Sequence, residues 1–304
     1  MELRHLRYVV TIADEASVTR AAERLRMQQP PLSQQLRALE KELGFALFER
    51  RPKGVVPTSA GAVFIEEARG LLANAQRAKD RGARAAAGLD GTLVIGFTSS
   101  AATHRIAPEL IAAYRSRYPG VQLTFSDGNA AQLTQAVLQS TLDIAFVRAP
   151  VSQAPEVRSD ELIDEPMLVA LPTSHPLARN GSSRRLALNL RTLAGEPFIL
   201  VRRPGAPGMY ANLVAACQAA GFIPRIAYEV ESMLTNLLLV AAGIGITVVP
   251  ASMRETHTEL IAYFPLRGAK GLVAPMTLLS RHQSRNPAVA NFLALVRNAR
   301  SKAR

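Results

Sequence analysis

The sequence is poor in the residues on which disulfide scaffolds and cysteine-ligated zinc sites depend. Its 304 residues contain one cysteine, Cys217, and no tryptophan, and only 5% of them are aromatic. A single cysteine excludes a disulfide within the chain and a zinc site built on cysteines. Cys217 lies in an alanine-rich stretch typical of a helix, so we interpret it as a small core residue.

Long apolar runs are also absent. Charged residues interrupt each apolar stretch well before it reaches the roughly 20 residues that a membrane-spanning helix needs. The N-terminus lacks the succession of basic, apolar and small residues that is typical of a secretory signal. We therefore expect a protein that acts in the cytoplasm, and the chain length predicts two or three domains.

No set of residues typical of a catalytic or metal site occurs in the sequence. The five histidines are scattered without the spacing of a helical zinc motif, and no Walker phosphate loop is present. Gly243 and Gly245 lack the third glycine of a dinucleotide loop, which favours a turn. The sequence therefore predicts a protein that is not an enzyme and that holds neither a cofactor nor a metal.

A formal net charge of +12 suggests a polyanionic partner. Residues 1–90 hold 15 basic against 11 acidic residues and contribute +4, whereas the rest of the chain contributes +8. Basicity alone therefore does not identify the N-terminal region as the binding part, and the placement of its residues has to decide.

Residues 17–44 have the pattern of two short helices joined by a tight turn. In the second helix, leucines recur at steps of four, three and four, which predicts an amphipathic helix. Gln29 is its expected cap, and Pro30 and Pro31 fit its first turn, where backbone N–H groups have no intrahelical acceptor. The apolar faces of the two helices consist of Ala21, Ala22, Leu25, Leu32, Leu36, Leu39 and Leu43.

The face opposite the leucines is polar near the start of the second helix. Hydroxyl, amide and guanidinium groups in this position suit base edges and phosphates in a major groove, so we expect contact with duplex DNA. An ordinary amphipathic hairpin with a solvated polar face is the alternative. The polar residues are Ser33, Gln34, Arg37 and Lys41.

A helix over residues 3–14 completes a small three-helix core with the two helices of residues 17–44. A basic turn comes after the three helices, at residues 49–61, between two short extended runs. We interpret this turn as a winged hairpin whose Arg50, Arg51 and Lys53 reach phosphates beside the groove. A solvated basic loop is the alternative.

The pattern of residues 59–87 predicts one long alanine-rich helix. Its apolar residues step by four, three, four and three, which is the spacing of a coiled-coil seam. Because the helix needs another surface to bury this stripe, a second copy of the chain is the simplest partner. Gly88 and Gly91 mark a hinge after it. The stripe consists of Phe64, Ala68, Leu71, Ala75 and Ala78.

Beyond the hinge, strands and helices alternate. The pattern of residues 92–148 predicts a βαβαβ unit with a mostly parallel sheet, and a second run covers residues 162–250. Near 267–275 the chain reaches a final strand, MTLLS, and this strand and a helix at 288–300 return the chain to the first run. We therefore predict two α/β lobes, joined by two crossovers, with a cleft between them.

Open α/β sheets bind ligands beyond the carboxyl ends of their strands. Thr98, Ser99 and Ser100 lie at such an end, where hydroxyl groups and a helix N-terminus favour an anion such as a carboxylate. Simple helix capping is the alternative for them. The other candidates are Asn129, Arg148, Arg202, Arg203, residues 204–210 and Thr247.

In order and spacing these motifs resemble those of the LysR-type transcriptional regulators. Over the first 60 residues the resemblance rests on MELRHLRYVV, TRAAERL, QPPLS, LEKELGFALFER and PTSAG. It continues through LVIGF, LDIAFVR, SHPLA, APGMY and VAAGIGITVVPAS, and so covers the whole chain. The sequence is most similar to the branch with regulators of benzoate and catechol breakdown and of acetoin synthesis.

The resemblance implies a winged helix-turn-helix domain over residues 1–58, a linker helix and hinge over 59–90, and a two-lobed effector-binding domain over 91–304. The lobes would be of the Rossmann-like, periplasmic-binding-protein type. The family further implies dimers that assemble into tetramers on DNA, a small effector, expected here to be an organic acid, and contact with RNA polymerase. Lobe I would comprise residues 91–162 and 268–304, and lobe II residues 163–267.

The family's site residues carry over to matching positions of this chain. The implied groove contacts are Gln29, Pro30, Pro31, Ser33, Gln34 and Arg37. The implied contacts nearer the DNA backbone are Arg50, Lys53 and Thr58. The implied effector positions are Ser99, Ser100, Arg148, Pro207, Gly208 and Met209.

Two positions depart from the family pattern. Many relatives have arginine at position 34, whereas this chain has Gln34, which leaves the operator sequence open. Relatives that bind dicarboxylates often have a hydroxyl residue where Ala130 stands. Arg202 and Arg203 are alternative carboxylate partners, because a guanidinium group pairs with a carboxylate through two hydrogen bonds.

A solute-binding or transport component is the alternative that a two-lobed cleft suggests. The N-terminal helical domain and the lack of a signal peptide argue against it. The sequence therefore favours a ligand-responsive transcriptional regulator over a transport component or an enzyme.

Overall fold

The computed structural model describes residues 1–52, 54–148, 155–180, 187–201, 208–269 and 271–303. The chain forms two compact units, Met1–Arg84 and Ala85–Arg304. Within the described ranges, no helix is both long enough and apolar enough to cross a membrane.

The first unit packs three helices and a hairpin around a small core. Val9, Ile12, Leu32, Leu39 and Leu47 are buried in this core, together with Ala21 and Ala22 of the second helix. The predicted leucine stripe and the predicted wing are both present. The elements are α1 (Leu3–Glu15), α2 (Val18–Arg24), α3 (Gln29–Leu43), β1 (Phe48–Arg51), β2 (Gly54–Pro57) and α4 (Ser59–Ala86).

The start of α3 differs from the expectation. Gln28, not Gln29, is the N-cap residue, and no side chain accepts a capping hydrogen bond. The reason lies in Pro30 and Pro31, which follow Gln29 at the second and third helical positions. A capping side chain accepts from the N–H groups of these two positions, and proline has none.

The first part of α4 packs against its own unit. Ile65 and Ala68 are buried, and a Cβ added to Gly61 would lie 1.9 Å from the carbonyl oxygen of Leu47. Farther along, Leu71 is 47% exposed. The predicted stripe is therefore divided, because its beginning is covered within the unit and its continuation is open.

The second unit is a two-lobed α/β structure. Its first lobe contains β3 (Gly91–Phe97), α5 (Ser99–Ala102), α6 (Ile106–Arg117), β4 (Val121–Asp127), α7 (Ala130–Leu138), β5 (Ile144–Val147) and α11 (Pro287–Ala303). Two long strands, β6 (Val157–Pro172) and β12 (Val273–Arg281), connect the lobes. The second lobe contains α8 (Pro176–Asn180), β7 (Leu188–Asn189), β8 (Pro197–Val201), α9 (Gly208–Ala219), β9 (Arg225–Val230), α10 (Met233–Ala241), β10 (Thr247–Pro250) and β11 (Ile261–Arg267).

The main sheet has the strand order β4-β3-β5-β12-β6-β11-β7, and β10 also pairs with β6. The pairs β3–β4, β3–β5 and β8–β9 are parallel, as predicted for βαβ units. By contrast, β12 pairs with β5 and β6 antiparallel, and so does β6 with β10 and β11. The two crossovers are therefore paired strands.

The connecting strand β6 is longer than the sequence pattern indicated. It begins at Val157, and its first half alternates between more and less exposed positions, with four charged residues among Arg158–Asp164. Such a stretch lacks the apolar run by which MLVALP was recognised. Pairing with β12 from Val157 to Pro166 supplies its backbone partners.

Each lobe has its own apolar core. In lobe I, Tyr114 packs against Phe292 with ring centroids 5.2 Å apart and donates its hydroxyl to the carbonyl of Ala288. In lobe II, Cys217 is buried among apolar side chains, as predicted. Burial raises the pKa of the Cys217 thiol to about 11, so the thiol stays protonated and unreactive.

Gly88, which the sequence marks as a hinge, is held against the start of α11. Its φ is +67°, and an added Cβ would lie 2.7 Å from the carbonyl carbon of Pro287. The side chain of Asn291 donates to the carbonyls of Ala87 and Gly88 at 3.0 and 3.1 Å. Glycine is therefore needed here both for its backbone conformation and for close packing.

We expect Gly88→Ala to lower the free energy of unfolding of the second unit by about 1–3 kcal/mol, because it adds strain and a clash with the backbone. Chemical denaturation of the full chain measures the change. Gly70→Ala is the matched control, since no heavy atom lies within 4 Å of its added Cβ in the interior of α4. An unchanged Gly88→Ala protein would contradict this role of Gly88.

Candidate functional site

The first turns of α3 present a polar, exposed surface. Arg37 forms no ion pair with any described residue, and the Gln29 amide donates to the Ser33 hydroxyl at 3.1 Å. The absence of acidic residues from the first turn leaves the positive end of the helix dipole uncompensated. Of the residues expected in the groove, only Ser33 is half-buried, and the others are exposed: Gln29, Pro30, Pro31, Gln34 and Arg37.

The opposite face of α3 is fixed to the rest of the first unit. Leu32 and Leu39 are buried, and Leu32 packs with Ala21 and Ala22 of α2. The small alanine side chains allow the two helices to approach closely, as predicted. Because the apolar face is fixed in this way, the polar side chains of α3 keep a defined direction outward.

The β1–β2 hairpin forms the predicted wing. Arg50 lies opposite Val55 in the register and is exposed, without an ion pair among the described residues. Arg51 is paired with Glu49 at 3.1 Å, an exposed contact that contributes little stability. Lys53, the third predicted wing contact, lies outside the described residues.

Thr58 holds the start of α4. Its hydroxyl donates to the carbonyl of Ala46 at 2.7 Å and accepts from the N–H of Gly61 at 2.8 Å. The single hydroxyl proton is therefore used within the unit. Thr58 was expected near the DNA backbone, and its side chain positions the end of the wing.

A cavity with a volume of about 120 Å³ lies between the lobes of the second unit. Its lobe I wall is the more polar and includes Thr98, Ser99, Ser100, Gly128, Ala130 and Arg148. The apolar part of its lobe II wall includes Met167, Leu200, Met209, Leu213, Met233 and Val248. A cavity with an apolar body and a few polar groups is typical of a small-molecule site.

The structure brings most of the described ligand candidates to this cavity. Asn129 is not among the lining residues, because its side chain forms a capping box with Gln132 at the start of α7. Gly208 begins α9, while Arg202, Arg203 and Pro207 lie outside the described residues. The candidates that line the cavity are Thr98, Ser99, Ser100, Arg148, Met209, Tyr210 and Thr247.

The three residues after β3 differ in their roles. Thr98 is the N-cap of α5, and its hydroxyl accepts from the N–H of Ala101 at 3.3 Å. Ser99 is half-buried and Ser100 is buried. The capping alternative thus applies to Thr98, whereas the two serines form part of the cavity wall.

Arg148 is the centre of a buried polar network between the lobes. Its guanidinium lies 2.5 Å from a carboxylate oxygen of Glu165, and both side chains are more than nine-tenths buried. It also donates to the carbonyl of Ser100 at 2.9 Å and to the hydroxyl of Ser252 at 2.9 Å. Glu165 in turn accepts from the N–H of Ser252.

This network neutralises the charge of Arg148. Burial lowers the pKa of the guanidinium, and the charge of Glu165 opposes that effect. A buried ion pair with further hydrogen bonds holds both charges without a ligand. Arg148 lines the cavity, so its expected contact with the effector stays a prediction, while its described partners join β5, β6 and the turn after β10.

Sequence reasoning missed Glu165 and Ser252. The available signal for Glu165 was weak, because two acids, Asp164 and Glu165, both lie just before the buried run MLVALP. Only the second is buried, and a buried carboxylate needs a cation as its partner. Ser252 carried no such signal, because it joins the network only through the tertiary approach of the two lobes.

We expect Glu165→Ala to lower the free energy of unfolding by about 3–5 kcal/mol, because it leaves the buried Arg148 charge without its partner. Replacing both partners, by Arg148→Met with Glu165→Leu, should restore most of this loss. The matched control is Glu255→Ala, which removes one side of the exposed Arg254–Glu255 pair and costs at most about 1 kcal/mol. Equal losses for the two single variants, measured by denaturation, would refute the assignment.

Comparison with known proteins places both parts of the chain in one family. The protein-family model described as "Bacterial regulatory helix-turn-helix protein, lysR family" matches residues 3–62. The "LysR substrate binding domain" matches residues 86–301. The two matches together cover most of the chain.

Individual relatives agree with this assignment over nearly their whole length. The regulator BudR of Raoultella terrigena is 37% identical over 97% of this chain and all of its own, and CatR of Pseudomonas putida is 34% identical over 97% and 98%. The crystal structure of full-length CbnR complexed with its target DNA is 28% identical, with a TM-score of 0.81 over 99% of this chain and all of that one. These relatives match the branch that the motifs indicated.

The matched helix-turn-helix and substrate-binding domains, together with relatives that align over nearly their whole length, decide the family. The chain belongs to the LysR family of DNA-binding transcriptional regulators, with an N-terminal helix-turn-helix domain and a two-lobed effector-binding domain.

Proposed function

We propose that this regulator reads its operator with the start of α3 and that a small carboxylate bound between the lobes of its effector domain controls the response. The observation that carries the DNA part is the exposure of the first turns of α3 while its leucine face is buried. Gln34 and Arg37 then contact base edges, and Arg50 of the wing contacts phosphates. Thr58 positions the wing.

The chemistry of the cavity supports a carboxylate on its lobe I side. Ser99 and Ser100 supply hydroxyl groups there, and their backbone N–H groups, at the start of α5, have no intrahelical acceptors. Because Glu165 already neutralises Arg148, hydroxyl and amide donors bind the acid. An apolar body of the ligand packs against Leu200 and Val248.

We further propose that the regulator works as a homodimer joined through α4, with two dimers forming a tetramer on DNA. Leu71 is 47% exposed and Ala78 is exposed along the predicted seam, beyond the part of α4 that its own unit covers. A second copy of the same helix buries such a stripe in a two-fold pair. Action in the cytoplasm and contact with RNA polymerase rest on family membership.

In this mechanism the effector acts by binding one arrangement of the lobes better than another. The strands β6 and β12 connect the lobes, so a ligand that contacts both walls biases their relative orientation. The dimer then transmits that change to the spacing of the DNA-binding units.

We expect Ser33→Ala combined with Gln34→Ala to weaken binding to a duplex selected from a random-sequence pool, by about 1–3 kcal/mol for each base that the variant no longer reads. Fluorescence anisotropy at fixed salt measures the affinity. Gln35→Ala is the matched control on the same helix, because its side chain contacts His5 at 3.1 Å inside the unit. Retained specific binding by the double variant would remove the groove assignment.

We expect Ser100→Ala to reduce the rise in melting temperature that small organic acids produce, while DNA binding is unchanged. The variant removes a hydroxyl from the cavity wall and keeps the backbone carbonyl to which Arg148 donates. A ligand that binds only the folded state raises the melting temperature, which makes thermal shift the direct measurement. Ser126→Ala, on the exposed end of β4, is the control. A normal response in Ser100→Ala would discredit this subsite.

A further inference from the structure

Asn236 of α10 belongs to the wall of the cavity, and one end of its buried amide accepts no hydrogen bond from a described residue. It is 1% exposed and is among the lining residues. Its Nδ2 donates to the hydroxyl of Thr247 at 2.7 Å. Its Oδ1 is buried and accepts no hydrogen bond from any described residue.

The hydrogen bonds of Thr247 determine which end of the amide is unused. The Thr247 hydroxyl donates its only proton to the carbonyl of Ile199 at 2.8 Å. The group that faces the hydroxyl must therefore be a donor, which is the amino end of Asn236. The carbonyl end is left as an acceptor.

An unpartnered buried acceptor lowers stability, and α10 is otherwise built of apolar residues where it meets the core. Leu237 and Val240 on the same helix are buried at 0% exposure. A leucine at position 236 would fill a similar volume without an unused carbonyl oxygen. Packing alone therefore does not account for an amide at this point of the cavity wall.

A second acceptor lies on the lobe II side of the cavity. Glu231 lines the cavity with a carboxylate that forms no ion pair with a described residue. Met167, Met209 and Met233 surround the same space, and their flexible side chains adjust to a ligand without loss of packing. A ligand that fits this wall presents donors to lobe II.

We propose that the effector is a hydroxylated carboxylic acid whose hydroxyl group donates to Oδ1 of Asn236, so that Asn236 determines specificity. This inference rests on the proposed function, in which the carboxylate of the same ligand lies on lobe I. A site with a buried acceptor rejects the analogue that lacks the hydroxyl, because the acceptor then stays desolvated and unpaired.

The test compares pairs of acids that differ only in one hydroxyl group, on the full-length protein, by thermal shift and calorimetry. The probes are benzoate with its 3- and 4-hydroxy derivatives, and isovalerate with 2- and 3-hydroxyisovalerate. For at least one pair we expect the hydroxylated member to bind about tenfold or more tightly than its partner. Asn236→Leu should reduce that preference to within about twofold without weakening the binding of the unsubstituted acid.

Folding of the variant is checked by its melting temperature without ligand, which we expect to be unchanged or higher. Thr247 keeps its bond to Ile199 in Asn236→Leu, and the unused acceptor is gone. Thr235→Leu, an exposed neighbour on α10, is the matched control and should keep the preference. The comparison of acids on the unmodified protein tests the inference even if the variant does not fold.

The outcomes separate this inference from the function on which it rests. Binding of acids with no preference for any hydroxylated member, or a preference that Asn236→Leu retains, overturns the role of Asn236 alone. Failure of every acid in the panel to bind overturns both the carboxylate effector and this inference.

Discussion

Arg148 and Glu165 meet 2.5 Å apart at a point where both side chains are more than nine-tenths buried. Neither charge is tolerable alone in such a place, so the elements that carry them must stay together. Arg148 follows β5 of lobe I, and Glu165 lies in the middle of the connecting strand β6. Ser252, in the turn after β10 of lobe II, binds both partners. The approach of the lobes is thus defined by a polar contact that the chain completes by itself.

The chemistry of the cavity next to this contact depends on the polar groups of its wall that the ion pair does not use. In the proposed function, Arg148 is neutralised and the ligand is bound by the serine hydroxyls of lobe I and the acceptors of lobe II. Asn236 is the most informative of these, because one end of its amide is used by Thr247 and the other has no partner among the described residues. The polar groups therefore differ between the two walls, and the proposed orientation of an amphipathic acid in the cavity depends on this difference.

In the DNA-binding unit, burial of the leucine face of α3 leaves its polar face exposed. The alanines of α2 and the leucines of α3 form the core, so that the polar residues at the start of α3 are presented outward. The prolines at positions 30 and 31 begin the helix without a side-chain cap. Thr58 lies beside the wing, and its hydroxyl donates its only proton to the carbonyl of Ala46 within the same unit.

The sequence by itself determined the elements that depend on local periodicity and on apolar runs. These include α3 with its leucine stripe, the wing, the long helix α4 and the parallel units of both lobes, because each is specified by neighbours within about a dozen residues. It also indicated Ser99, Ser100 and Thr247 as cavity residues, since strand ends in an α/β sheet meet at one edge. Only the tertiary structure decided the partners of those residues. The ion pair of Arg148 with Glu165, the division of the α4 stripe and the unused oxygen of Asn236 arise from contacts between distant segments, whose geometry no local pattern encodes.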